Sequence, residues 1–167
     1  ILAAAVLGFV GIMLLLPEER AEDPTPRLPW QVEQDAQGRT RVFGFTLGET
    51  PLSEVRRVFA ETGEINLFAR LDANQQPTEF AVEAYFEQIY LSRLRGDFVI
   101  GIQADAATLA PMYERGLRIS QLGSGAKKVE LDPTDIATLA RLPIASITYL
   151  PWKSLDAASR STRCHRV

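Results

Sequence analysis

Cysteine and histidine are almost missing from this 167-residue chain, which holds one of each, Cys164 and His165, adjacent near its end. A single thiol cannot close an internal disulfide, so a domain in an oxidising compartment has to rest on packing. Ligands this scarce also exclude a Cys/His structural zinc site and a C-x-x-C-H haem attachment. An excess of positive charge is missing too. Against 21 acidic residues stand 18 Lys and Arg, a net charge of -3, so no nucleic acid is expected as a partner. Gly44 and Gly48 flank Phe45, Thr46 and Leu47, yet neither the G-x-G-x-x-G nor the G-x-x-x-x-G-K-S/T phosphate-loop pattern is present. Ser124, between Gly123 and Gly125, lacks the strand-elbow-helix setting and the histidine that a nucleophile needs. No catalytic residue, cofactor or metal site is expected from these patterns.

One long hydrophobic run stands out. Ile1 to Leu16 (ILAAAVLGFVGIMLLL) carries no charge and no proline, as a membrane anchor or the core of a signal peptide does. As a helix it would reach about 24 Å, short of the ~30 Å hydrocarbon core, so further apolar residues are expected ahead of Ile1. Leu14, Leu15 and Leu16 run straight into Pro17 with no small-x-small cleavage pattern, which favours an anchor retained in the protein. Ala4, Gly8 and Gly11 fall at helical spacing and form one smooth stripe, the surface on which a second transmembrane helix packs closely. The flank after Leu16 is net acidic, through Glu18, Glu19, Glu22 and Asp23 against Arg20, which places the rest of the chain outside the cytoplasm. The expected location is the inner (cytoplasmic) membrane as a single-pass protein with its soluble domain in the periplasm.

The remainder divides into three. Residues 17–29 (PEERAEDPTPRLP) hold four of the ten prolines among charges and read as an extended linker. Residues 30–150 read as one α+β domain. Trp30 to Gln34 and Thr40 to Thr46 alternate and predict a hairpin. Thr50-Pro51 predicts a capped helix with Leu52, Val55, Val58 and Phe59 on its inner face and Gly63 as its stop. Glu64 to Leu71 and Glu79 to Phe86 predict strands about the Asn74 to Pro77 turn; Ile89, Leu91 and Leu94 carry the second strand on, with a bulge, to a turn at Gly96-Asp97. Phe98 to Ile102 predicts a central strand, Ala106 to Arg115 a helix capped by Asp105, Lys127 to Leu131 a short strand, Asp132-Pro133 a last helix and Ile144 to Leu150 a last strand. The predicted order ββαβββαβαβ implies a mainly antiparallel sheet with about three helices packed on one face. Residues 151–167 read as an extended basic tail through Arg160, Arg163 and Arg166, which with Trp30 and Trp152 are candidate partner contacts.

Glu79, Glu83 and Glu87 share strand parity, with Tyr85 and Asp97 near them. Paired carboxylates can serve as acid and base or hold a divalent cation, but evenly spaced Glu along an alternating strand is the ordinary solvent face of a half-buried sheet. A second set, Phe80, Tyr85, Phe86, Tyr90 and Trp152, offers aromatic lining for a ligand pocket. The run VFGFTLGETPLSEVRRVFAETG, Val42 to Gly63, resembles the strand, Leu-Gly turn and capped helix of SmpA/OmlA-like envelope lipoproteins of Gram-negative bacteria. Together with EAYFE (Glu83 to Glu87) it is similar to an uncharacterised proteobacterial group with one N-terminal span and an extracytoplasmic domain. The chain departs from the lipoproteins in having no lipobox cysteine after its apolar run, and from the group in its tail, SRSTRCHRV.

These features predict a non-catalytic accessory subunit that packs on a larger integral-membrane complex through its helix and sits on that complex's periplasmic face, with the lipid bilayer and that complex as partners. Respiratory and photosynthetic electron-transfer assemblies are candidate hosts, and no residue selects them. The alternative is a membrane-tethered periplasmic ligand-binding or sensor domain; a third reading, an envelope-assembly factor, rests on fold analogy alone.

Overall fold

The computed structural model describes residues 27–152, in the order β1 Glu33–Gln34, β2 Thr40–Val42, β3 Phe45–Thr46, α1 Leu52–Phe59, β4 Glu64–Leu71, β5 Pro77–Leu91, β6 Leu94–Ile102, α2 Ala106–Glu114, β7 Arg118–Gln121, β8 Lys127–Glu130, α3 Pro133–Leu139 and β9 Ile144–Pro151. The domain is α+β and its strand pairs are all antiparallel among the described residues. β1, β2 and β3 make a small meander, and six strands make the main sheet in the order β7-β8-β4-β5-β6-β9. Among the described residues no helix is long and apolar enough to cross a membrane; the predicted anchor 1–16, with Ala4, Gly8 and Gly11, lies outside them.

Period-two alternation decides which face of the sheet is covered. The register sets Leu67 against Val82 and Val129, Ala84 against Ile100 and Phe86 against Phe98, all on one face and all buried. The helices close that face: Leu52, Val55 and Phe59 from α1, Leu109, Met112 and Tyr113 from α2 and Leu139 from α3 join one hydrophobic cluster. At roughly 1.5–3 kcal/mol for each large side chain removed from water, this cluster is the main source of stability. Phe59 sits at its centre, its ring meeting Phe45, Phe86 and Phe98 at centroid distances of 5.8, 5.1 and 4.9 Å. The opposite face, with Asn66, Phe68, Glu83, Tyr85, Asp97 and Val99, is the one the described helices leave uncovered.

Several local expectations are corrected. Thr40 to Thr46 is not one strand: the chain reverses at Phe43-Gly44, both at positive φ (53° and 78°), so that Val42 pairs with Phe45 and both phenyl rings enter the core. Thr50 does not cap α1; its hydroxyl accepts from the Thr46 N–H at 2.9 Å, and Pro51 takes the cap position without a side-chain bond. The open N–H groups of Leu52 and Ser53 donate instead to the carbonyls of Leu142 and Ala140, at 3.0 and 2.8 Å, so the start of α1 and the end of α3 satisfy each other. Ala60, left-handed at φ 55°, ends α1 in place of Gly63. Gly63 is required three residues on for two reasons: its φ is +66° and a Cβ there would lie 2.6 Å from the Phe86 ring. The hairpin between β5 and β6 turns at Ser92-Arg93, not Gly96-Asp97, with both turn residues at positive φ (46° and 69°). Finally, β6 is second from the edge and not central, and β7, an all-exposed strand, has no counterpart in the predicted order.

Asp105 and Asp132 do cap their helices, accepting from the backbone N–H of Thr108 and Thr134, each at 2.8 Å. A bulge falls between Phe86 and Ile89, as the sequence predicts.

Candidate functional site

The bulge in β5 builds the best-organised polar cluster on the open face. Gln88 adopts a left-handed backbone, φ 57°, and so aims its N–H at the neighbouring strand, where Asp97 Oδ1 accepts it at 2.9 Å. The same oxygen accepts from the indole Nε1 of Trp152 at 2.8 Å, and Oδ2 accepts from the Tyr85 hydroxyl at 3.1 Å. The Gln88 N–H, then the Trp152 indole and the Tyr85 hydroxyl, hold the Asp97 carboxyl below its ordinary value, with desolvation opposing them. Burial pushes the Tyr85 phenol up, and the Asp97 carboxylate adds to that.

Beside this cluster Arg95 lays its guanidinium 3.9 Å from the Trp152 ring centroid and 5.0 Å from that of Tyr90. Its carbonyl also accepts from the Trp152 N–H at 3.2 Å and the Tyr149 hydroxyl at 3.1 Å. Trp152 is thereby fastened to the sheet through its backbone, its indole N–H and its ring face. Its side chain nevertheless stays 42 % exposed, beside Leu150 at 47 % and Tyr90 at 68 %. A rigid, partly wet aromatic group of this kind is what a protein contact uses, because little side-chain freedom remains to be lost on binding.

The neighbouring stretch of the open face is more polar. Glu64 accepts from Asn66 Nδ2 at 3.0 Å and Lys128 Nζ at 2.9 Å, and these two bonds, in that order, hold its carboxyl below the ordinary value. A depression of about 530 Å³ lies there, lined by Glu64, Asn66, Arg118, Ser120, Lys128 and Glu130. Another, about 600 Å³, is bounded by Glu61, Glu64, Tyr85, Glu87 and Tyr90. The first lining is more polar than apolar and the second is evenly divided. A third depression on the same face, about 240 Å³ over Phe68, Glu83, Tyr85, Val99 and Lys128, is mainly apolar but smaller than the usual pocket for a small organic ligand.

No protein-family model, no curated protein and no solved structure matches the chain. None of the three therefore bears on the resemblance to SmpA/OmlA-like proteins expected from Val42 to Gly63.

The structure sorts the predicted site residues. Tyr85, Tyr90, Trp152 and Asp97 come together on the open face. Phe86 is 1 % exposed in the core and Phe80 packs against Tyr113 at 5.6 Å, so neither lines a pocket with them. The three glutamates do not converge: Glu79 is paired with Arg70 at 2.9 Å, and among the described residues no group of three His, Cys, Asp or Glu side chains is placed to hold a metal. Trp30 is exposed in the turn ahead of β1. Arg160, Arg163 and Arg166, with Cys164 and His165, lie outside the described residues. Arg95 is the member of the site that sequence reasoning missed. Its signal was the pairing of Tyr90 with Arg95, visible only once the hairpin turn is set at Ser92-Arg93.

Proposed function

We propose that this chain is a non-catalytic accessory subunit of the inner membrane, held on a larger integral-membrane complex by its apolar N-terminal run, with the α+β head presenting its open sheet face to the periplasmic side of that complex. One observation carries the reading: an uncovered sheet face on which Tyr90, Leu150 and Trp152 are exposed together and the last is held in place by Asp97 and Arg95. Exposed large apolar groups gathered at one place mark contact surfaces, whereas single scattered ones do not.

The test is affinity capture of the full chain after mild detergent extraction. A stoichiometric integral-membrane partner should be recovered with the unaltered chain, and the yield should drop by about tenfold or more with Tyr90→Ala and Trp152→Ala combined, a loss typical of central aromatic contacts. Recovery of the chain alone, or partner recovery indifferent to the double substitution, overturns the reading.

A further inference from the structure

Charge is unevenly spread over the open face. The depression of about 600 Å³ beside the β5 bulge has three carboxylates in its lining, Glu61, Glu64 and Glu87, together with Tyr85 and Tyr90, and no Lys or Arg among the described residues. All three carboxylates are exposed. Glu64 has Lys128 as its cation, whereas Glu61 and Glu87 have none among the described residues. Their field reaches into the site: after burial and Asp97, the Glu87 charge helps to push the Tyr85 phenol up. A concavity of one sign attracts a cationic segment and repels an anionic one.

The chain carries such a segment at the rim of this depression. Trp152 donates its indole N–H to the same Asp97 oxygen that accepts from the Gln88 N–H, and the other Asp97 oxygen holds the Tyr85 hydroxyl, so the last described residue is tied to two residues of the lining. Residues 153–167 follow it, with Lys153, Arg160, Arg163 and Arg166 against Asp156 alone. The undescribed stretch at the other end of the chain offers no such match: 1–16 has no charge, and 17–26 sets Glu18, Glu19, Glu22 and Asp23 against Arg20. Reach is ample. Neighbouring strands lie about 4.8 Å apart, so the path from β9 over β6 and β5 to β4 crosses about 15 Å, while the eight residues from Trp152 to Arg160 span up to about 26 Å. At three residues per turn, the repeat of an extended polyproline-type chain, Arg160, Arg163 and Arg166 fall on one side about 9 Å apart.

We propose that residues 153–167 fold back on the open face, with Arg160, Arg163 and Arg166 set against Glu61, Glu64 and Glu87 in this depression. One exposed ion pair is too weak to hold a chain segment in place. Three on one tethered segment act together, because the tether supplies an effective concentration of the order of millimolar and nothing has to be recruited from solution. Tyrosine rings in the lining suit guanidinium groups, and the three cations are all arginines. This inference goes beyond the accessory-subunit reading and is independent of it, since both sides of the contact belong to one chain.

Cys164, the single thiol of the chain, lies in this segment and takes a nitroxide label without any substitution. The experiment uses the full chain in a zwitterionic detergent at low salt, with the backbone amide resonances as readout. Signals of Glu61 to Glu64 and Tyr85 to Gln88 should be broadened by the label, and those of α2, which packs on the other face, should not. Salt at about 0.5 M should remove most of the effect, as screening does for exposed charges. Glu61→Gln combined with Glu87→Gln, at two exposed side chains, should reduce the broadening by about half or more with the rest of the spectrum unchanged. Arg160→Gln, Arg163→Gln and Arg166→Gln combined should do the same from the opposite side of the contact. A label that broadens no open-face signal, that broadens both faces alike, or that keeps its pattern in the glutamine variants overturns the proposal. So does broadening of equal strength in a mixture of labelled chains with unlabelled, isotope-enriched ones, which would make the occupant a second copy.

Discussion

Asp97 accepts three hydrogen bonds from three parts of the chain, the bulge at Gln88, the ring of Tyr85 and the indole of Trp152. Its carboxyl is lowered from the ordinary value of 3.8, so the ionised form is the one the fold favours. The contribution is complete above the ordinary carboxylate range and is lost as pH falls through the lower native value. Unfolding stability measured by urea titration should fall more steeply with acid in the unaltered chain than in Asp97→Asn, which keeps an acceptor oxygen but no titrating charge. Parallel acid limbs for the two proteins would remove Asp97 from the account. Tyr85 and its face were legible in the sequence because period two fixes them, whereas Asp97 was expected in a turn and falls inside β6. Arg95 was not legible either, because a turn of two residues at positive φ, Ser92-Arg93, carries no glycine to announce it.

At the scale of elements, helix ends show where tertiary contacts replace local signals. Asp105 and Asp132 act as their sequence contexts predict, whereas α1 begins without a side-chain cap because the carbonyls of Ala140 and Leu142 reach its first N–H groups. α2 and α3 are joined by an ion pair: Asp135, 3 % exposed on α3, accepts from both Arg115 Nε at 2.9 Å and Arg115 Nη2. Arg115 itself remains half exposed, so solvent screens its side of the pair. Arg115→Ala leaves a buried carboxylate without its cation and should cost about 1–2 kcal/mol in chemical denaturation, with Arg115→Lys recovering part of it. A change under about 0.3 kcal/mol would show that water replaces the guanidinium at no cost.

For the whole molecule, the question is whether the small meander and the main sheet are one cooperative unit. Phe43 and Phe45, on either side of the β2–β3 turn, are buried at 3 % and 0 % in the same cluster as the main sheet, with Phe43 meeting Phe98 at 5.2 Å. Sharing a core in this way predicts a single unfolding transition, with tryptophan fluorescence and far-ultraviolet circular dichroism giving coincident curves. Two separated midpoints would mean that the meander melts by itself. The open face lies on the other side of the sheet from this cluster, so a partner can bind there without disturbing what holds the domain together.

The α+β class, the strands with one buried face, two of the three helix starts and the apolar N-terminal run were determined by the sequence itself, because each is a local pattern of period, cap or hydropathy. The all-exposed β7, the split of Thr40 to Thr46 at Phe43, the order of strands and the gathering of Tyr90, Arg95, Asp97 and Trp152 were decided only in three dimensions. The order of strands and the seating of Trp152 on Asp97 and Arg95 depend on hydrogen bonds or ring contacts between residues far apart in the chain. The turns at Phe43 and Ser92-Arg93 are local but put non-glycine residues at positive φ, which residue type does not announce.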